Sequence, residues 1–241
     1  VYRPDVVRKI HYDYFMSGAN VVESNCFYTT RYALQRILGY ESRIVGEMAK
    51  SLTYLGVLLC RDAERLAHQD GVKQTTCVAG NVAPLEVNNP YDKKTVPPKG
   101  VAIAEHAEKI QNLMEADADL IIIETMTTLY EAEAALIAYD EVGKKVPFWV
   151  SFSCDYDGVL YGGESMKEVV DLVQSYSPQV LLVNCTPVEG VTKALQQLQR
   201  LTSMTLGAYA NVQAPVYPDA ETWERRADMS PQDYANFCRQ W

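Results

Sequence analysis

No apolar run in this 241-residue chain approaches the roughly 20 residues that cross a bilayer. The opening residues, Val-Tyr-Arg-Pro-Asp, carry no secretory leader pattern. A soluble, cytoplasmic protein with no membrane partner is therefore expected. Positive charge is scarce too. The chain holds 22 Lys and Arg against 31 Asp and Glu, a net charge of -9, with no basic cluster to follow a phosphate backbone. This argues against nucleic acid as a partner. Histidine occurs only at His11, His68 and His106, without His-x-Glu or paired-His metal spacing, and the three read as structural. The six cysteines include no Cys-x-x-Cys pair. A chain this long needs no disulfides to hold a core, so Cys26, Cys60, Cys77, Cys154 and Cys238 read as reduced core or surface thiols.

What is present is an alternation. Short apolar runs closed by polar residues and turn signals read as buried parallel strands at 19–25, 76–82, 119–125, 148–153, 180–185 and 206–212. Between them run helical stripes, among them Val6, Ile10 and Tyr14, then Met48, Leu52, Leu55, Leu59, Ala63 and Leu66. Ser230-Pro231 caps a last helix expected to reach Trp241. Residues 85–100 form a proline-rich loop able to serve as a lid or rim, and Pro215 and Pro218 open another that holds Trp223. Repeated βα units give a parallel sheet with right-handed crossovers. The fold expected is an α/β, TIM (β/α)8-type barrel in one domain, residues 1–241, with six of the eight strands present.

In such a fold chemistry gathers at the carboxyl ends of the strands. Those ends deliver Glu23 and Asn25, Asn81, Glu124 and Thr125, Ser153 and Asp155, Asn184 and Cys185, and Asn211. Cys185 is the leading candidate, although a free cysteine is often only a small buried hydrophobe. Glu124 suits a cationic amine or, alternatively, caps the next turn. Asn25, Asn184 and Asn211 are candidate substrate-binding groups, with satisfaction of loop backbone as the other reading.

Six of these stretches fall in a familiar order: Gly18-Ala19-Asn20-Val21-Val22-Glu23-Ser24-Asn25, Val78-Ala79-Gly80-Asn81-Val82-Ala83-Pro84, Leu120-Ile121-Ile122-Ile123-Glu124-Thr125-Met126, Ser151-Phe152-Ser153-Cys154, Val183-Asn184-Cys185-Thr186 and Gly207-Ala208-Tyr209-Ala210-Asn211. Together they resemble the homocysteine S-methyltransferase family, which includes the betaine-dependent enzyme and the homocysteine half of cobalamin-dependent methionine synthase. The resemblance implies zinc-dependent methyl transfer to the thiol of homocysteine, forming methionine. Three cysteine thiolates would hold the zinc and the substrate thiol would take the fourth position, where coordination deprotonates it.

By the same resemblance Cys185 is the first zinc ligand and a catalytic residue, and Glu124 is the catalytic and substrate-binding carboxylate that holds the homocysteine amino group. Tyr28, in Cys26-Phe27-Tyr28, resembles the aromatic segment beside the methyl donor. The family's other two zinc ligands form an adjacent pair in a Gly-Gly-Cys-Cys-Gly stretch that does not occur here, and its first strand is also absent. The chain is accordingly expected to be truncated at both ends. Expected partners are homocysteine and a small methyl donor, with a homo-oligomer or a separate donor domain as further possibilities. S-methylmethionine, betaine and a corrinoid all remain open as donor, and no cobalamin-binding or folate-binding segment is recognised. The rival expectation is a non-catalytic amino-acid-binding or scaffold barrel without zinc.

Overall fold

The computed structural model describes residues 3–39, 42–87, 96–143, 146–212 and 226–241, with backbone only at 42 and 43. Residues 88–95, half of the expected proline-rich loop, and 213–225, which hold Pro215, Pro218 and Trp223, lie outside the described residues.

Six parallel strands curl into a half-barrel, each hydrogen-bonded to the next in chain order. They are β1 (Val21–Glu23), β2 (Cys77–Val82), β3 (Leu120–Met126), β4 (Phe148–Phe152), β5 (Val180–Pro187) and β6 (Thr205–Asn211). Among the described residues eight helices accompany them: α1 (Pro4–Met16), α2 (Arg31–Leu38), α3 (Ser42–Gln69), α4 (Lys99–Glu115), α5 (Leu129–Glu141), α6 (Met166–Val173), α7 (Val188–Leu201) and α8 (Pro231–Cys238). The expected barrel type and strand count hold. β1 is shorter than the expected 19–25, and α8 stops at Cys238 rather than Trp241. Ser230 caps α8 in a reciprocal capping box with Asp233.

Strand parity sorts the side chains. Ile121, Ile123, Phe148, Val150, Leu181 and Val183 join the main core between sheet and helices. Ala79, Leu120, Ile122 and Leu182 form a smaller inner cluster with Trp149 and Val180 against it. The register aligns inner with inner: Asn81 lies opposite Ile122, Ile122 opposite Trp149, and Asn184 opposite Tyr209. The last inward position of each strand therefore falls to a polar residue, because strand side chains alternate faces with period two.

Two apolar stripes sit differently from the sequence expectation. On α1 the buried residues are His11 and Phe15, whereas Val6, Ile10 and Tyr14 are exposed. Ile10, His11 and Tyr14 line the cavity of the half-barrel. On α3 the most deeply buried residues are small ones, Val57, Cys60, Ala63 and Ala67, flanked by the expected leucines. Small residues let α3 approach the turn that follows β1. At Gly56 the fit is tightest: a Cβ there would lie 2.3 Å from Cys26 Sγ.

Gly56→Ala is expected to push α3 off this turn and to cost about 1–3 kcal/mol, as overpacking does. Urea unfolding of the variant measures it, and a midpoint equal to that of the parent contradicts the tight seat.

Candidate functional site

The inward parity of the strands brings Glu23, Asn81, Glu124, Ser151, Asn184 and Tyr209 to one end of the half-barrel. Glu23, Asn81, Glu124 and Tyr209 line a cavity of about 1100 Å³ whose walls include Val21, Ile122, Trp149 and Leu182. Glu124, only 4% exposed, is held by Asn81, Asn184 and Tyr209, with the Thr125 hydroxyl also 3.4 Å from its Oε2. Asn81 Nδ2 donates to its Oε1 at 2.9 Å, while Asn184 Nδ2 and the Tyr209 hydroxyl donate to Oε2 at 3.2 and 3.0 Å. Glu23 faces Glu124 within hydrogen-bonding reach. Burial first, and then the charge of Glu124, pushes the Glu23 carboxyl well above the usual carboxylate range, favouring its protonated form. Burial likewise drives the Tyr209 phenol well up, so it stays a neutral donor.

Cys185 reaches this rim by a different route. Its odd position would turn it outward, towards the helices. Instead the β5–β6 register shifts between Asn184 and Pro187, and Cys185 adopts φ 48°, in the left-handed region. β3 does the same beside it, where the register shifts between Ile123 and Met126 and Thr125 sits at φ 58°. Left-handed backbone at a non-glycine costs on the order of 1–3 kcal/mol and persists only where neighbours over-determine it. Here the neighbour is Asn184. Its Oδ1 accepts from the Thr125 amide at 3.0 Å and from Ser151 Oγ at 2.6 Å. Its Nδ2, with two hydrogens, lies within reach of three acceptors: Glu124 Oε2, Thr125 Oγ1 at 2.8 Å and Cys185 Sγ at 3.4 Å. Cys185 Sγ also lies 3.5 Å from Thr125 Oγ1. The thiol thus stands on the same rim as Glu124, half-buried rather than sealed in the wall. The buried Cys60 and Cys154 thiols are pushed up to about 12 by desolvation, as inert core cysteines are.

The turn after β1 closes one side of the cavity, to which it contributes Asn25 and Phe27. Tyr28 packs edge-on against Phe27, with ring centroids 4.8 Å apart. Its phenol is raised by burial and then by the charges of Glu86 and Cys185. The turn is anchored from behind by Lys109 on α4, a residue only 2% exposed. Its ammonium donates to the Cys26 carbonyl at 2.7 Å, to the Thr29 hydroxyl, and to the Thr53 hydroxyl at 3.4 Å. Burial lowers its pKa to about 8.

Of the sequence candidates, Cys185, Glu124 and Asn184 come together in one network; Glu124 and Asn25 line the cavity, whereas Cys185, Asn184 and Tyr28 are not among its lining residues, Tyr28 packing on the lining Phe27. Asn211 sits at the end of β6 opposite Pro187 and is not among the lining residues. Asp155 turns away to accept the amides of Asp157 and Val159. His11, read as structural, also lines the cavity. Sequence reasoning assigned no role to Glu23, Ser151, Tyr209 or Lys109. Counting inward parity back from each strand end finds the first three. Nothing in the helical pattern marks Lys109, which occupies an ordinary helix position.

The family model described as homocysteine S-methyltransferase matches residues 1–241. The chain is 30% identical over 251 residues to the homocysteine S-methyltransferase of Escherichia coli (strain K12), covering 100% of this chain and 77% of that protein. It is 23% identical to a selenocysteine Se-methyltransferase of Brassica oleracea var. italica, covering 99% of this chain and 72% of that one. Among solved structures it is similar to the metallated form of the homocysteine methyltransferase MmuM from Escherichia coli, with a TM-score of 0.78 at 27% identity, over 87% of this chain and 73% of that one.

Lys109 gives a pH signature. Its folded-state pKa of about 8 lies below the ordinary lysine value of 10.5. Between these two values the unfolded chain binds the extra proton, so stability rises with pH. The wild type is therefore expected to gain stability relative to Lys109→Met as pH rises from about 8 to 10.5. Paired urea titrations at the two ends measure the difference, and a gap that does not change with pH contradicts the burial of a charged ammonium.

Proposed function

We propose, for a chain that belongs to the homocysteine S-methyltransferase family, that it transfers a methyl group from a small donor to the thiol of homocysteine, forming methionine. The observation that carries this reading is the single side chain of Asn184 touching both the Glu124 carboxylate and the Cys185 thiol. An amino-acid substrate needs its ammonium gripped at one point and its sulfur presented at another. Glu124, fixed by Asn81, Asn184 and Tyr209, is the ammonium grip, and these donors orient its carboxyl group. The half-buried Cys185 marks the sulfur end. Asn25 and Tyr28, on the turn anchored by Lys109, stand where a donor would approach. Asn184 itself orients both ends, and Asn211 is kept as a candidate at the outer rim.

The transfer is a displacement at carbon. A sulfur lone pair of homocysteine forms the new S–CH3 bond as the donor's bond to that methyl breaks with its electron pair, while the thiol proton leaves for solvent. What the chain supplies is alignment of the two partners and exclusion of water by the walls around Ile122, Trp149 and Leu182.

The metallated MmuM relative supports a metal cofactor, and zinc held in part by Cys185 is the identity we favour. Zinc takes about four donors. Among the described residues no group of three His, Cys, Asp or Glu is placed to hold a metal ion. These residues supply one thiolate and do not complete a zinc site. This is also the observation that keeps the non-catalytic, amino-acid-binding reading in play.

Methionine formation from homocysteine with S-methylmethionine or betaine, followed by chromatography, tests the proposal. Glu124→Gln is expected to raise the homocysteine KM about tenfold to a hundredfold, the worth of a hydrogen-bonded charge pair, with a smaller change in kcat. Homocysteine binding without turnover by either donor favours the binding protein, and an unchanged KM in Glu124→Gln contradicts the ammonium grip.

A further inference from the structure

The functional reading uses one carboxylate, yet the site contains two. Glu23 is on β1 and Glu124 on β3, and both are inward residues lining the same cavity. Glu124 already receives donors from Asn81, Thr125, Asn184 and Tyr209. Glu23 Oε1 is buried and has no hydrogen-bond partner among the described residues. A buried acceptor left empty costs about 1–3 kcal/mol unless something fills it. Two carboxyl groups in contact inside a protein do not both ionise, because their mutual repulsion is too great at low dielectric.

We infer that Glu23 is the second carboxylate of the ammonium subsite, that it shares one proton with Glu124 while the site is empty, and that the substrate's ammonium displaces this proton when it binds. The inference rests on the ammonium reading of Glu124 and adds a residue and a proton to it.

Charge matching supports the exchange. With the proton gone, two carboxylates face two cations: the substrate's ammonium in the cavity and Lys109 behind the β1 turn, whose charge acts on both glutamates. With no ligand, Lys109 alone balances a pair carrying a single negative charge. Counted over the two glutamates, Lys109 and the ligand's ammonium alone, the charges balance in either state, as burial of these groups favours. A ligand without a cationic amine cannot make the exchange. The site therefore selects for free amino acids and against N-acylated ones, whose amide nitrogen brings no charge.

The titratable groups around Glu23 are Glu124 on β3, Tyr209 on β6, Lys109 on α4, Cys26 in the turn and His11 on α1, which lines the same cavity. Burial raises Tyr209 and lowers His11, so each of these two keeps its neutral form near pH 7. Glu23 is the group whose burial and neighbouring charge both favour holding a proton that a cation can expel.

Calorimetric titration with L-methionine tests this, since methionine carries the ammonium and has no thiol proton of its own to release. In phosphate and in Tris, buffers of very different ionisation enthalpy, the wild type is expected to show binding heats that differ in the direction of proton release. Its affinity is expected to weaken about tenfold per pH unit on the acid side of the Glu23 titration. In Glu23→Gln the buffer dependence disappears and the pH profile flattens. Buffer-independent heats and a flat profile in the wild type overturn the inference while leaving the ammonium grip intact, and the wild-type data decide this even if the variant folds poorly. Unchanged proton release in a folded Glu23→Gln protein overturns it as well. A wild type that binds neither methionine nor homocysteine overturns the ammonium reading of Glu124 and this inference with it.

Discussion

The amide of Asn184 is the hinge-pin of the site. It is fully buried, it sits at the last inward position of β5, and its two ends do different work. The oxygen ties β5 to the backbone of β3 and the hydroxyl of β4, and the nitrogen reaches the carboxylate, the hydroxyl and the thiol that define the rim. An aspartate could accept but not donate, and a leucine could do neither. The leucine would leave the Thr125 amide and the Ser151 hydroxyl without their acceptor, and either would take the Nδ2 donor from the rim, at about 1–3 kcal/mol for each buried group left unpaired.

This interaction also accounts for the two left-handed residues on the rim, Thr125 and Cys185. A parallel strand delivers every second side chain inward, so adjacent residues cannot both face the cavity while the ladder stays regular. At the ends of β3 and β5 the chain presents two neighbours to the rim, Glu124 with Thr125 and Asn184 with Cys185, by breaking the ladder at each place. Among the described residues four non-glycines have left-handed backbone, Asp117, Thr125, Ser177 and Cys185, and the strain of the two on this rim is offset by the Asn184 network. The structural parts of the barrel, β2 and the inner cluster around Ile122, need no such device.

Much of this was legible in the sequence. The βα alternation, the six strands and the polar strand ends follow from apolar periodicity and turn residues, because a strand buried on both faces has little choice of composition. Glu124 and Asn184 could be picked out because each ends a run of apolar residues. Three things were not legible. Cys185 faces the rim only because of a backbone reversal that no propensity marks. Glu23 was visible at a strand end, but its pairing with Glu124 depends on the curl of the sheet across β2. Lys109 looks like any exposed helical lysine until α3, with its row of small residues, brings the β1 turn over it. The outward turn of Val6, Ile10 and Tyr14 was likewise invisible, since helical spacing shows which residues share a face and not what the face meets.

The central claim is that the Cys185 thiol and the Glu124 carboxylate serve one ligand. Alkylation with iodoacetamide, mapped peptide by peptide with and without saturating L-methionine, tests it most directly, with the exposed Cys238 as internal control. The account predicts that methionine slows labelling of Cys185 and leaves Cys238 unchanged. Equal labelling of Cys185 in the presence and absence of bound methionine would contradict it.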